Sequence, residues 1–303
     1  MVIPPMDRTP PRDVLEKLRK EVNLGCPVPG CGTPYLTWHH FDPPWRITPH
    51  HNPEGMVAMC ATHAWLADGG RWTKEQLREM KRKPFVTADL ISEFYGYLRK
   101  NVVCLFGNVA YRVKNILELN GERVIGFERD ADGYDRLNLL IRNREGTPVL
   151  VMENNYWTAY SKELHDLSVS AQGKSLKIAS KDGTTQFEMR FDDYPLSQFR
   201  ELVIERQRAT QIPEWVKGDA RTWLEKSRRD TNSIDRFIQE IGAPDTVPTW
   251  SIRGRLSWGA HTLEIRDSEI QDERRNRFSM CFVVGGRTAF SYSSESMALG
   301  VAS

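Results

Sequence analysis

LGCPVPGCGTPYLTWHHFDPPWRITPHHNPEGMVAMCATHAWLADG, residues 24–69, holds three of the chain's five cysteines (Cys26, Cys31, Cys60) and five of its seven histidines (His39, His40, His50, His51, His63). Cys26 and Cys31 bracket PVPG, a tight turn that can bring two thiolates together, and Cys60 and His63 stand as C-x-x-H. Two such pairs about thirty residues apart are how four-coordinate structural zinc sites are built, because zinc takes thiolate sulfur and imidazole nitrogen in a tetrahedral shell. A closed shell leaves no position for substrate, so a Zn2+ ion here is expected to fold the segment rather than do chemistry. The alternative is that these thiols are small buried residues without metal.

Between the two pairs, His39 and His40 adjoin on LTWHH, an apparent strand, and Asn52 follows in a Pro-rich loop. The segment then closes as MCATHAWLADGGRWTKEQLREMK, residues 59–81. In these features residues 36–81 resemble the HNH, or ββα-metal, endonuclease superfamily, in particular a bacterial subgroup with a zinc knuckle. The resemblance covers 46 of the chain's 303 residues, and its motif is specific only in combination. It implies His39 as a ligand of a catalytic Mg2+ or Mn2+ ion, His40 as the general base, Asn52 as the middle asparagine, and Cys26, Cys31, Cys60 and His63 as the structural zinc ligands. Such a set suits phosphodiester hydrolysis, where a divalent ion polarises the P–O bond and an imidazole takes a proton from water. Neighbouring strand residues point to opposite faces, so His39 and His40 diverge unless the strand is distorted.

One position departs from that pattern. The resemblance implies a second metal-binding histidine directly after the C-x-x-H pair, and this chain has Ala64 there. Alanine has no donor atom. Three readings stay open: an inactivated His-to-Ala variant, a degenerate copy kept for binding, or His63 serving the catalytic ion with the zinc site incomplete. His50, His51 and Asp68 are substitute ligands at unfamiliar spacing.

Working outward, residues 12–22 form an amphipathic stripe through Val14, Leu15, Leu18 and Val22. Thr73 and Gln76 have capping-box spacing and open a helix that ends before Pro84. A further helix is expected over residues 87–100, with Leu90, Ile91, Phe94 and Leu98 inward. From residue 102 the texture turns to short β-rich runs (VVCLF, AYRVK, RVIGFE, RLNLLIR, PVLVME, SLKIAS, TTQFEMRF). Turn signals such as Asn120-Gly121, Asp132-Gly133 and Asp182-Gly183 separate them. Residues 196–240 read as helical and 249–292 as strands again. The fold expected is therefore α+β. A small zinc-stabilised ββα-metal domain occupies residues 1–100, and a mostly antiparallel β-rich domain with inserted helices occupies residues 101–303. Trp157, Trp250 and Trp258 are expected in the core rather than as base-stacking platforms, Cys104 and Cys281 as buried thiols, and the basic stretch 205–230 as a solvated helical face.

A net charge of +2 neither demands nor excludes nucleic acid. No apolar run reaches a membrane span, and MVIPPMDRTPPRD at the start lacks the apolar core of a signal peptide, so the expected compartment is the cytoplasm, with no membrane partner. Taken with the resemblance, these features imply a metal-dependent DNA endonuclease restrained by its tail. Architectural analogy with phage-defence effectors suggests an antiviral role. On that analogy residues 101–303 answer a nucleotide signal, bind a sensor or Argonaute-type partner protein, or set a homo-oligomer. The alternative is a catalytically dead zinc-containing DNA-binding or adaptor protein, and a weaker one a zinc-stabilised protein-interaction module.

Overall fold

The computed structural model describes residues 6–86, 89–93, 98–106, 108–209, 217–227, 231–242, 245–258, 261–266, 270–272, 277–278, 283–284, 288–292 and 297–299. Helix α1 (Arg12–Glu21) puts Leu18, and Val22 just beyond it, in the core of the N-terminal module. Strand β1 (Leu36–His40) pairs antiparallel with β2 (Met56–Cys60), His39 lying opposite Val57 and His40 opposite Met56. Helix α2 (Ala61–Asp68) follows β2 without a break, and α3 (Lys74–Arg82) comes next. At the start of α3 the Thr73 hydroxyl accepts from the Gln76 amide, and the Gln76 side chain accepts from the Thr73 amide, as the spacing predicts. Every residue of β2 is buried, because α1, α2 and α3 all pack against it. Its unbroken apolar run reflects a strand covered on both faces.

The helix expected over residues 87–100 is overturned where the chain is described. Leu90–Glu93 is a strand, β3, antiparallel to Tyr156–Ala159 at the edge of the first large sheet. A short apolar run does not itself distinguish helix from strand, and here an open sheet edge decides. Residues 87–88 and 94–97, including Phe94, lie outside the described residues.

The remaining strands form two sheets. The first runs, in spatial order, Met297–Leu299, Thr288–Tyr292, Asn115–Leu119, Glu122–Arg129, Asp135–Arg142, Pro148–Glu153, Tyr156–Ala159 and β3. The second is built on Leu164–Val169, Ser175–Ser180, Gln186–Pro195, Thr246–Trp258 and His261–Ile265, continuing to Ile270–Asp272 and Arg277–Phe278. Pairing is mostly antiparallel. The parallel exceptions described are Val103–Phe106 on Thr246–Trp258, Thr288–Tyr292 on Asn115–Leu119, and Val283–Val284 on Asn108–Tyr111. One core cluster draws on both sheets. Trp250 meets Phe127 of the first sheet edge-to-face at 5.5 Å and Phe191 of its own sheet at 6.0 Å, a geometry that aromatic quadrupoles favour. Trp157 and Cys104 are fully enclosed as expected, and Trp258 packs on the cluster's margin. Cys281 lies outside the described residues.

Helices α4 (Leu196–Ala209), α5 (Gly218–Ser227) and α6 (Asn232–Ile241) are inserted between the two longest strands. Phe199, Val203, Ile234 and Phe237 of α4 and α6 build a second core with Val103, Leu105 and Val247. In the stretch expected to be a solvated basic face, Arg221 pairs with Glu225 and Lys226 is exposed, but Arg206 is buried. Among the described residues, no helix is long and apolar enough to cross a membrane.

The N-terminal module seats on the edge strand Leu164–Val169. Arg19 of α1 pairs bidentately with Asp166 at 2.8 and 2.6 Å, and its guanidinium also lies 6.0 Å from the centre of the Trp38 ring. Covering the edge this way removes an exposed row of backbone groups.

Candidate functional site

The local sequence builds the first site. The turn at PVPG closes with the Cys31 amide on the Val28 carbonyl (3.0 Å), and Gly30 takes φ +80°, a conformation that glycine adopts freely. Cys60 ends β2 as the N-cap residue of α2, so His63 falls one turn into the helix and faces back. The four donor atoms of Cys26, Cys31, Cys60 and His63 all lie within 4.8 Å of one another. Nδ1 of His63 is 3.3 Å from both Cys26 Sγ and Cys60 Sγ, and Cys31 Sγ is 3.9 Å from Cys60 Sγ. A tetrahedral zinc ion, with bonds of about 2.3 Å to sulfur and 2.0–2.1 Å to nitrogen, separates its donors by roughly 3.5–3.8 Å, which these distances match. The cysteines are free thiols. Sharing of one proton with Cys60, together with burial, pushes the Cys26 thiol up, while the hydrogen bond from Cys26 outweighs burial at Cys60 and holds it down to about 5. Crowded, desolvated sulfurs of this kind cannot all ionise without a cation, so the donor set fits a metal ion such as zinc.

A second site lies on the other side of α2. His39 and His40 line one cleft of about 480 Å³ together with Ala64, Ala67, Asp68 and Trp45. The amides of Phe41 and Asp42 both converge on the Gly55 carbonyl (2.9 and 3.1 Å), a β-bulge directly after His40. His39 and His40 themselves stay in regular register opposite Val57 and Met56, and both line the cleft. Gly55 is obligatory at the bulge: a Cβ on it would stand 1.9 Å from the Asp42 carbonyl oxygen.

His39 is buried, with Nδ1 at 3.3 Å from Asp68 Oδ1. Burial pushes its pKa down and the Asp68 carboxylate opposes that. His40 is equally buried, and neither ring nitrogen has a hydrogen-bond partner among the described residues. Burial, then the neighbouring His50, lower its pKa to about 4. His50 has a structural task instead. Its Nε2 donates to the Pro43 carbonyl (2.9 Å) and its Nδ1 accepts from the Asn52 amide (3.0 Å), tying the loop's two ends. His51 sits behind Trp45, ring centres 5.5 Å apart.

Asn52 is not brought to the cleft. It is exposed, and its side-chain oxygen accepts from the Glu54 amide to cap the 3-10 turn Pro53–Gly55. Ala64 is in the cleft wall, 9% exposed, one helical turn from Asp68 and thus on the same helix face. Sequence reasoning missed the basic lining. Arg8, Arg46 and Lys74 reach the cleft from three separate segments, and Lys74 also bonds Asp42 at 2.6 Å. Arg78 makes the second ion pair to Asp42. Spacing of Lys74 and Arg78 by four residues marks one helix face, but nothing local pointed to Asp42 as their target.

Among the described residues, Cys26, Cys31, Cys60 and His63 form the one group of three or more His, Cys, Asp or Glu side chains close enough to share an ion. Compared with known proteins, the chain matches no family model, no curated protein and no solved structure.

Proposed function

We propose that the N-terminal module is an HNH-type nuclease head acting on DNA, in a form whose catalytic metal shell is one ligand short. A single observation carries the reading. Ala64 lies in the wall of the same basic cleft as His39, His40 and Asp68, where a histidine would supply a third donor beside the His39–Asp68 pair. Mg2+ or Mn2+ bound in such a cleft supplies positive charge to the phosphate and the leaving oxygen. The residues present do not complete that shell, since His39 and Asp68 offer two donors, so no cleaving step follows for the alanine form. What this chain's own groups do is position. Arg8, Arg46 and Lys74 offer positive charge to phosphate, and His40, whose two ring nitrogens are buried without a partner among the described residues, stands in the same wall as the candidate base. The structural zinc fixes α2 against the β1–β2 hairpin. The β-rich part is the restraint, answering a nucleotide signal or a sensor or Argonaute-type partner in a defence role, by analogy of architecture.

A second reading, a DNA-binding or adaptor module without catalysis, is favoured by the packing of Ala64 itself. It is 9% exposed and packs as a member of the N-terminal core cluster as well as lining the cleft. Both readings require the cleft to hold DNA. Fluorescence anisotropy with a labelled duplex at low salt tests this. The chain binds, and Arg46→Ala lowers affinity and reduces the slope of log K against log salt by roughly 0.9. Absence of binding at low salt, or binding that ignores Arg46→Ala and Lys74→Ala, overturns both.

A further inference from the structure

A separate cavity of about 500 Å³ opens where the N-terminal module meets the β-rich part. Its floor is apolar: Leu24, Val86 and Leu164, each less than a tenth exposed. Its rim is cationic. Lys20 comes from α1, Lys162 from the turn before Leu164–Val169, His165 from that strand and Lys181 from the turn after Ser175–Ser180, and no carboxylate lines it among the described residues. Glu16 partly neutralises one side, accepting from Lys20 (2.8 Å) and lying 2.9 Å from His165 Nε2. On the other side the Asp89 carboxylate accepts from the amide and hydroxyl of Ser161, beside two lysines. Lys181 donates to the Lys162 carbonyl at 3.1 Å, and the exposed Lys162 ammonium has no partner among the described residues.

The backbone at the floor is held in an unusual shape. Asn23 and Leu24 are consecutive left-handed residues, at φ +51° and +64°. A leucine in this region is disfavoured by its Cβ and persists only where surroundings over-determine it. Here the Leu24 amide reaches the Arg19 carbonyl (2.8 Å) and the Asn23 side-chain amide reaches the Val86 carbonyl (2.6 Å). The result turns Leu24 into the floor and leaves the Asn23 side-chain oxygen as an acceptor beside it.

An apolar floor under a cationic rim, at a volume ordinary for small-molecule sites, selects a ligand with a flat ring and an anionic end. We propose that this junction cavity binds a nucleoside monophosphate, its base on Leu24, Val86 and Leu164 and its phosphate between Lys162 and Lys181. Free phosphate would not use the floor, and a neutral nucleoside would not use the lysines. The walls belong to α1 and to the edge strand that Arg19 and Asp166 already join, so an occupied cavity ties the module to the sheet. The proposal does not depend on the nuclease reading, because its readout is binding.

Isothermal titration of the full chain with AMP, GMP, CMP and UMP, and with inorganic phosphate and adenosine, tests it. At least one monophosphate binds, and more tightly than phosphate or the nucleoside alone. Lys162→Ala with Lys181→Ala weakens it by at least about tenfold, since a charge-assisted hydrogen bond is worth roughly that much. Both lysines are exposed, so the melting temperature of the double variant stays at the parent value, and Arg46→Ala in the other cleft leaves the affinity unchanged. Failure of all four monophosphates to bind, binding that survives the lysine substitutions, or phosphate binding as tightly as the nucleotide overturns it.

Discussion

Removing the ion from Cys26, Cys31, Cys60 and His63 is expected to melt the N-terminal module while the β-rich part stays folded. The core around the cluster is small, with Leu18, Val22, Phe41, Met56, Met59 and Leu77 its larger buried members. Each such side chain contributes about 1.5–3 kcal/mol on burial. Ordering the chain costs about 1.5 kcal/mol per residue, so a module of this size keeps at most roughly 5 kcal/mol from its core. A structural zinc ion contributes on the order of 10 kcal/mol to the folded state. The ion therefore outweighs the core, and the Arg19–Asp166 pair to the sheet is too small to make up the loss. The assay is hydrogen exchange read by mass spectrometry, before and after a strong chelator, and with Cys26→Ser. The amides that pair β1 with β2 should lose protection, while those pairing Ser175–Ser180 with Gln186–Pro195 keep theirs. Purified protein without zinc, or a β1–β2 hairpin still protected once the metal is gone, refutes the reasoning.

Other substitutions read different parts of the account. Arg19→Ala breaks a mostly buried bidentate pair and should cost about 2–3 kcal/mol in urea unfolding, with Arg19→Ala/Asp166→Ala costing clearly less than the sum of the two single changes; strict additivity would mean that the pair does not join module and sheet. Gly55→Ala drives a methyl group into the Asp42 carbonyl and should cost more than about 3 kcal/mol, whereas a melting temperature within about a degree of the parent contradicts the close approach. At Asp182 burial raises the pKa, but the Ser180 and Thr184 hydroxyls and the Thr184 and Arg144 amides outweigh it and hold the carboxyl below its usual range. A depressed folded pKa gives stability that is complete above the unfolded value of about 4 and is lost as pH falls below it. Asp182→Asn should therefore flatten the acid limb below about pH 4 and leave the trend above it unchanged, and an unaltered acid limb contradicts the assignment.

The Cys/His cluster was legible because cysteine and histidine are scarce elsewhere and their spacing survives any local conformation. The hairpins were legible wherever glycine marked the turn: Asn120-Gly121 takes φ +49° and +80° between paired strands. The turn at Asn154-Asn155 went unread, although both residues are left-handed (φ +50° and +73°) and asparagine tolerates that region nearly as glycine does. With it went Tyr156–Ala159, and without that neighbour β3 had no edge to pair with, so its apolar residues read as a helix stripe. Asn52 is placed in the loop, away from the cleft lining. Its position matched a motif, but a loop asparagine followed by proline is also a turn cap, and the local hydrogen bond won. The basic lining of the cleft and the Arg19–Asp166 pair join segments far apart in the chain, and no local pattern encodes such pairs.

The most direct test of the central claim is cleavage of plasmid DNA in Mg2+ or Mn2+ by three forms: the chain itself, Ala64→His, and Ala64→His with His40→Ala. The account predicts that Ala64→His alone cuts, because it adds a third donor beside His39 and Asp68 while the double variant lacks its base. Cutting by the chain with alanine at 64, or by the double variant as fast as by Ala64→His, contradicts it.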